Sequence, residues 1–325
     1  MIPHALLPFD RAHLSLGSLE ERTHLRDLKQ ILPLESRPAV NRTFELVAEK
    51  IREARKCGAP VVLIAGAHLL REGVQRYLID LMEKRFINCV ALNGAGVIHD
   101  FEYALVGGTT ESVAEYIRDG RFGFWKETGR INDIVREAAA GEKGLGEAVG
   151  RVIYEERFPH RNISVLAAGY RLGIPVTIHV GIGQDIVHQL PNCSGAAYGA
   201  ASYTDFLRLA TVLEGLENGV VMNFGSAVMG PEVYLKALSM VRNIARQRGL
   251  SIRRFTTLVC DLIDLPDNFR KEADPTEPAY YFRPWKTMLV RTVAEGGESH
   301  YVRGRHAETF PQLWTALTQE GTHDR

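Results

Sequence analysis

The feature that most limits how this chain can fold is a recurring pair. A short, mostly apolar run closes on a turn and is joined to a longer segment with helical spacing. The runs are VVLIAG (61–66), CVALNG (89–94), IPVTIHVG (174–181), VVMNFGS (220–226) and SIRRFTTLVCDL (251–262). A strand with apolar residues at consecutive positions has both faces covered, the pattern of parallel sheets sandwiched between helices. Ahead of the first run, TFELVAEKIREARKCG places Phe44, Val47, Ala48, Ile51 and Ala54 on one helical face and stops at Gly58. Strands joined by helices in this order build right-handed crossovers. The expected fold class is therefore α/β, a doubly wound, mostly parallel sheet.

The same spacing predicts helices over HLLREGVQRYLIDLMEKRF, VIHDFEYALVGG, SVLAAGYRLG, SYTDFLRLATVLEGLENG, PEVYLKALSMVRNIARQRG and the closing HAETFPQLWTALTQ. TTESVAEYIRDG is expected to be a short helix capped by Thr109 or Thr110. RFGFWKETGR reads as a loop, followed by a helical stretch with a glycine break up to Phe158. Residues 263–282, rich in Pro, Asp and Glu, read as a loop. KTMLVRTVAEGGESHYVRG reads as two strand-like pieces across a Gly-Gly turn. Residues 1–42 are expected to form an extended N-terminal arm, 43–320 a single α/β domain and 321–325 a tail.

Charge and cysteine usage narrow the function. The 39 basic and 39 acidic residues leave a net charge of zero, without the surplus that phosphate neutralisation requires, so no nucleic-acid partner is expected. The basic cluster Arg242, Arg246, Arg248, Arg253 and Arg254 reads as a solvated helix end and the next strand. Cys57, Cys89, Cys193 and Cys260 form no CxxC pair, which argues against a cysteine-built zinc site, and free thiols suit a reducing compartment. No apolar stretch reaches the ~18 residues of a membrane helix. The start MIPHALLPFDRAHLSL lacks the form of a signal peptide, so a cytoplasmic protein is expected.

Four strand ends carry the candidate chemistry: AGAHLLREG (65–73), LNGAGVIHD (92–100), HVGIGQDIVH (179–188) and NFGSAVMGPE (223–232). In open parallel sheets ligands bind beyond the carboxyl ends of the strands, and helix starts favour anions. None of the four is a GxGxxG turn, and GxxxxGK[ST] is absent. His179, Asp185 and His188 match no common metal spacing and read as cleft lining, so no metal is expected. His99 and Asp100 read as surface and capping residues. Ser226 is not framed as GxSxG. Lys286, in YYFRPWKTMLV beside Trp285, is either a surface lysine opening a strand or a desolvated amine able to attack carbonyls and imines.

The order of these pieces resembles the deoxyhypusine synthase family over roughly residues 43–320. The likeness is carried by VVLIAGAHLLREGVQRYLIDLMEKRFINCVALNGAGVIHDFEYAL, SVLAAGYRLGIPVTIHVGIGQDIV, VVMNFGSAVMGPEVYLKAL, RPWKTMLVRTV and ESHYVRGRHAETFPQLWTAL. The resemblance implies a Rossmann-like, NAD-binding fold, a homotetramer, and an aminobutyl transferase that oxidises a spermidine-type polyamine and passes its aminobutyl group through a lysine imine. It implies that Gly66, Ala67, His68, Asn93, Gly94, Ala95, Gly96 and Asp100 face NAD, with Gly225 and Ser226 near its phosphates or ribose. Asp185, His188 and Trp285 would line the amine pocket, and Lys286 would form the imine. The stretch before Lys286, DLIDLPDNFRKEADPTEPAYYFRPWK, departs from the family, which leaves the acceptor open between a protein lysine and a small diamine. Two alternatives stand beside this reading: another NAD-dependent enzyme on a small amino compound, and a non-catalytic oligomeric binding protein.

Overall fold

The computed structural model describes residues 9–37 and 40–319; the tail set apart at 321–325 lies outside them. In chain order the elements are β1 (Arg26–Asp27), α1 (Arg42–Cys57), β2 (Val61–Ala65), α2 (His68–Arg71), α3 (Gln75–Glu83), β3 (Cys89–Asn93), α4 (Gly94–Val106), β4 (Gly108–Thr109), α5 (Val113–Tyr116), α6 (Lys126–Ala140), α7 (Leu145–Glu155), α8 (Val165–Leu172), β5 (Val176–His179), α9 (Gly195–Leu213), β6 (Val220–Phe224), α10 (Met229–Gln247), β7 (Thr256–Asp261), a π-helix (Trp285–Arg291), β8 (Glu298–Arg303) and α11 (His306–Thr318).

Six strands form one sheet in the order β5-β3-β2-β6-β7-β8, and every neighbouring pair is parallel. The chain starts in the middle at β2, steps outward through β3 to β5, then returns to β6 and steps outward the other way through β7 to β8. This is the doubly wound order, with its reversal between β2 and β6. Alternation along β2 sorts the core. Val61, Leu63 and Ala65 belong to the apolar cluster with α1, α3, α4, α7, α8 and α11, whereas Val62 and Ile64 join α9, α10 and the π-helix. Burying such side chains contributes roughly 1.5–3 kcal/mol each, which is why β2 and β6 are buried at every residue.

An edge strand exposes unpaired backbone groups and must be covered. Along β5 this falls to α9. Asp205 accepts from the backbone N–H of Gly146 (3.0 Å) and Ile178 (2.9 Å). Ser202 accepts from Val180 N–H and donates to the Ile178 carbonyl.

Four local expectations are corrected. The helix expected over 68–86 breaks at Gly73, which has φ +81 and whose ideal Cβ would stand 1.9 Å from the Gln30 carbonyl oxygen. The close passage of the N-terminal segment forbids a side chain there. KTMLV is helical. Pro284 sets the first turn, and the Thr292 N–H bonds the Thr287 carbonyl five residues back, so this apolar run is a buried helix, which periodicity alone does not distinguish from a strand. ESHYVRG does form β8, but parallel to β7. The helix expected from Thr109 starts at Val113 and is capped by the Ser112 hydroxyl, while Thr109 pairs in β4 with Arg26 of β1. Through that pairing the N-terminal segment folds onto its own chain.

Candidate functional site

At the strand-order reversal the turns after β2 and β6 touch. The Gly66 N–H donates to the Phe224 carbonyl (3.0 Å), and an ideal Cβ on Gly66 would stand 2.4 Å from the Gly225 carbonyl oxygen. Gly225 itself has φ +67, and its own ideal Cβ would lie 2.3 Å from His306 Nε2. Both positions thus require glycine because the two turns pack on each other and under His306, the first residue of α11. The His306 Nδ1 is buried without a hydrogen-bond partner.

Beyond the ends of β3 and β5 opens a cleft of about 190 Å³. One wall is a face of α4: Ala95, Ile98, His99 and Glu102, at helical spacing. A second wall is Gln184, Asp185 and Ile186 after β5. A third comes from Thr110, Glu111 and Phe122, with Arg22 reaching in from the N-terminal segment. Thr110 has φ 65, a conformation a β-branched residue rarely adopts, and its hydroxyl is buried without a partner. Strain of this kind concentrates at functional sites.

The cleft is acidic in an uneven way. Glu102 and Arg22 form a bidentate ion pair (2.9 and 2.7 Å), each side chain 1% exposed. The remaining lone pairs of Glu102 accept from Thr109 and Thr128, both at 2.6 Å. Burial alone would raise the Glu102 carboxyl, but the Arg22 charge and these donors hold it below its ordinary value. Glu111 is raised by burial, against donations from Trp125 Nε1 and the Gly123 N–H. Asp185 stands over the first residue of α4: an ideal Cβ on Gly94 would lie 2.0 Å from its Oδ2. Desolvation pushes its carboxyl up to about 6. No cationic side chain among the described residues lies within ion-pair reach of it. Desolvation likewise lowers His99 to about 4, so its ring is neutral.

The sequence candidates divide accordingly. Gly66, Gly225 and Ser226 lie at the reversal with Ala67 and His68 beside them, although the Ser226 hydroxyl accepts from the Gly230 N–H. Asn93, Gly94, Ala95 and Gly96 start α4, where the Asn93 carboxamide caps the Gly96 N–H. Asp100 is not a cleft residue. It is buried on the far side of α4 and caps α8, accepting from Ser164 Oγ and the N–H groups of Val165 and Leu166. Asp185 faces the cleft, whereas His188 turns inward, its Nδ1 accepting from the N–H groups of Gly183 and Asp185 and its ring packed on Tyr198.

Lys286 and Trp285 are not brought to this cleft within the chain. They sit in the π-helix, which packs against β7 and β8 on the other face of the sheet. Trp285 Nε1 donates to the carbonyls of Phe269 and Lys271. The buried Lys286 ammonium lies 3.8 Å from the Tyr280 ring centroid. Sequence inspection missed Arg22, Glu102, Glu111 and His306. Nothing local marks Arg22, Glu111 or His306, whereas Glu102, three residues after His99 on the same face of α4, carried a usable sign. No group of three or more His, Cys, Asp or Glu among the described residues is placed to hold a metal ion. None of their helices is long and apolar enough to cross a membrane.

Strand order, parallel pairing and the glycine turns at the reversal make this a doubly wound, Rossmann-type α/β protein. No family model and no curated protein matches the chain. Among solved structures, an AgrE mutant in binary complex with L-arginine matches with a TM-score of 0.50 and 17% identity, over 86% of this chain and 34% of AgrE. AgrE in ternary complex with ornithine and NAD+ gives 0.49 and 17%, with the same coverages. A structure named as a deoxyhypusine synthase, from Entamoeba histolytica, gives 0.38 and 8%, over 85% and 86%. The chain spans about a third of the length of the AgrE chain it matches. Likeness at these identities shows the fold; the deoxyhypusine synthase family itself is not shown.

Proposed function

We propose that the chain is an enzyme that binds NAD at the strand-order reversal and acts on an amino compound held in the adjoining cleft. The observation that carries this reading is the juxtaposition of two elements: the side-chain-free contact of Gly66 with Gly225, and Asp185, a desolvated acid without a cationic partner, across the start of α4. The residues present fit a dinucleotide. Dinucleotides bind beyond the carboxyl ends of parallel strands at such a reversal, where β2 and β6 close on turns free of side chains and the helix start after β3 favours an anion.

When bound, NAD supplies a hydride acceptor for the carbon bearing the amine. The chain's own residues do the rest. Gly66, Gly225 and the start of α4 would hold the cofactor. Ionised Asp185 attracts the substrate cation into a site of low polarity, where one charge pair is worth more than in water. The pairing of Arg22 with Glu102 offsets its repulsion of that cation.

The test is NAD binding by calorimetry, with spermidine, L-ornithine and L-arginine as amine probes, followed by absorbance of the reduced cofactor. Binding with amine-dependent reduction supports the proposal; no NAD binding removes it. A finer reading is aminobutyl transfer from a polyamine to a protein lysine or small diamine through an imine on Lys286, within a homotetramer. It draws on the burial of that ammonium under Tyr280, away from any ion-pairing acid among the described residues. Because Lys286 and the Asp185 cleft lie apart within one chain, this reading requires a second copy to join them. Borohydride with spermidine and NAD must then leave an adduct on Lys286, and an unmodified Lys286 rejects it.

A further inference from the structure

The acid, hydroxyl and ring at the base of the cleft have a hydrogen-bond order that can be solved proton by proton. Glu102 is an acceptor only, being ionised against Arg22. The single hydroxyl proton of Thr109 therefore goes to Glu102 Oε2, at 2.6 Å. Thr109 Oγ1 also lies 2.8 Å from His99 Nδ1. With its proton committed to Glu102, the hydroxyl can only accept there, so His99 Nδ1 carries the hydrogen. A neutral ring has one N–H, which leaves Nε2 as a bare lone pair. His99 lines the cleft. Its Nε2 has no protein hydrogen-bond partner among the described residues and, unlike that of His188, is not among the sealed unpartnered atoms.

We infer that His99 is the substrate-facing acceptor of this cleft, presenting Nε2 to an N–H of the amino substrate, and that Thr109 and Glu102 are positioning residues that lock its tautomer. The role rests on the proposed amine chemistry and adds what that reading lacked, a neutral acceptor fixed in direction. Asp185 attracts the cation by charge, whereas His99 orients it by one directed bond. The charges that act on His99 are those of Glu102, Arg71, His68 and Arg22. Burial, with the charges of Arg71, His68 and Arg22, outweighs Glu102 in opposing protonation of the ring, so the lone pair stays available. Arg22 has a further consequence. It comes from the N-terminal segment and holds Glu102 ionised, so that segment is part of the site.

The experiment is long-range proton–nitrogen NMR on the full chain labelled with nitrogen-15 at histidine, with His99→Gln used to assign the ring. The expected result is an Nδ1–H tautomer that does not titrate through neutral pH. Thr109→Val should release the ring into a tautomer mixture while leaving the Arg22–Glu102 pair intact. At least one of spermidine, L-ornithine and L-arginine should move the His99 Nε2 resonance. For that probe His99→Gln should weaken binding about 10- to 100-fold, the range for loss of one hydrogen bond to a charged group. An Nε2–H tautomer in the unmodified protein overturns the inference, and so does an Nε2 resonance unmoved by all three amines. If the tautomer and amine shifts appear but NAD does not bind, the inference stands and the cofactor assignment falls.

Discussion

The carbonyl oxygen of Gly225 lies 2.4 Å from where a Cβ on Gly66 would be, so the turns of the two central strands are in contact at the point where the strand order reverses. Gly66→Ala must push backbone against backbone, since neither turn has a flexible side chain to yield. Overpacking of this kind costs about 1–3 kcal/mol. The expected outcome is a lower thermal midpoint together with weakened NAD binding by calorimetry. Unchanged values for both would mean that the turns are free to separate.

Asp185 links charge to pH. Its carboxyl is raised to about 6 by desolvation, so it is neutral below that pH and anionic above it. Amine affinity should therefore rise as pH increases through about 6. Asp185→Asn should abolish this rise and weaken amine binding about tenfold or more at neutral pH, since charged hydrogen-bonded contacts contribute about 1.5–3 kcal/mol. Titration calorimetry at a series of pH values decides it, and an identical slope in the variant would exclude Asp185 as the titrating group.

The Arg22–Glu102 pair should be costly to halve. Arg22→Met leaves an uncompensated carboxylate in a site where both side chains are 1% exposed, and breaking such a pair costs about 3–5 kcal/mol. Adding Glu102→Gln should recover part of that loss. Denaturant unfolding of the two single variants and the double variant gives the coupling. Simple additivity would show that the ion pair contributes nothing to holding the N-terminal segment.

Asp205 predicts a different pH profile. Burial raises its carboxyl to about 7, against the N–H donors of Gly146 and Ile178 and the charge of Arg208. A carboxyl raised on folding binds its proton more tightly in the native state. Its stabilising contribution is full below the unfolded value of about 3.9 and is lost as pH climbs through about 7. Asp205→Asn should thus gain stability relative to the parent as pH rises across that window, measured by unfolding at each pH. A constant difference would mean that Asp205 does not titrate there.

The sequence by itself determined the doubly wound α/β class, most of the helices and strands, and the turns that surround the site. The runs at β2 and β6 are apolar at consecutive positions because both faces are buried, and the glycines after them mark where backbone meets backbone. Asp185 and the stretch Asn93–Gly96 stood out as candidates for the same reason: they follow strand ends. Only the tertiary structure decided the rest. Asp100 has the residue type and place of a ligand contact, yet it caps α8, because burial and partners are set by a helix some sixty residues away. KTMLV carries a strand's composition and folds as a helix, since a fully buried apolar run suits either. Arg22, Glu102 and Thr109 meet across 80 and 7 residues of chain. Residues so separated carry no shared local pattern, so packing of the N-terminal segment on α4 was needed to bring them together.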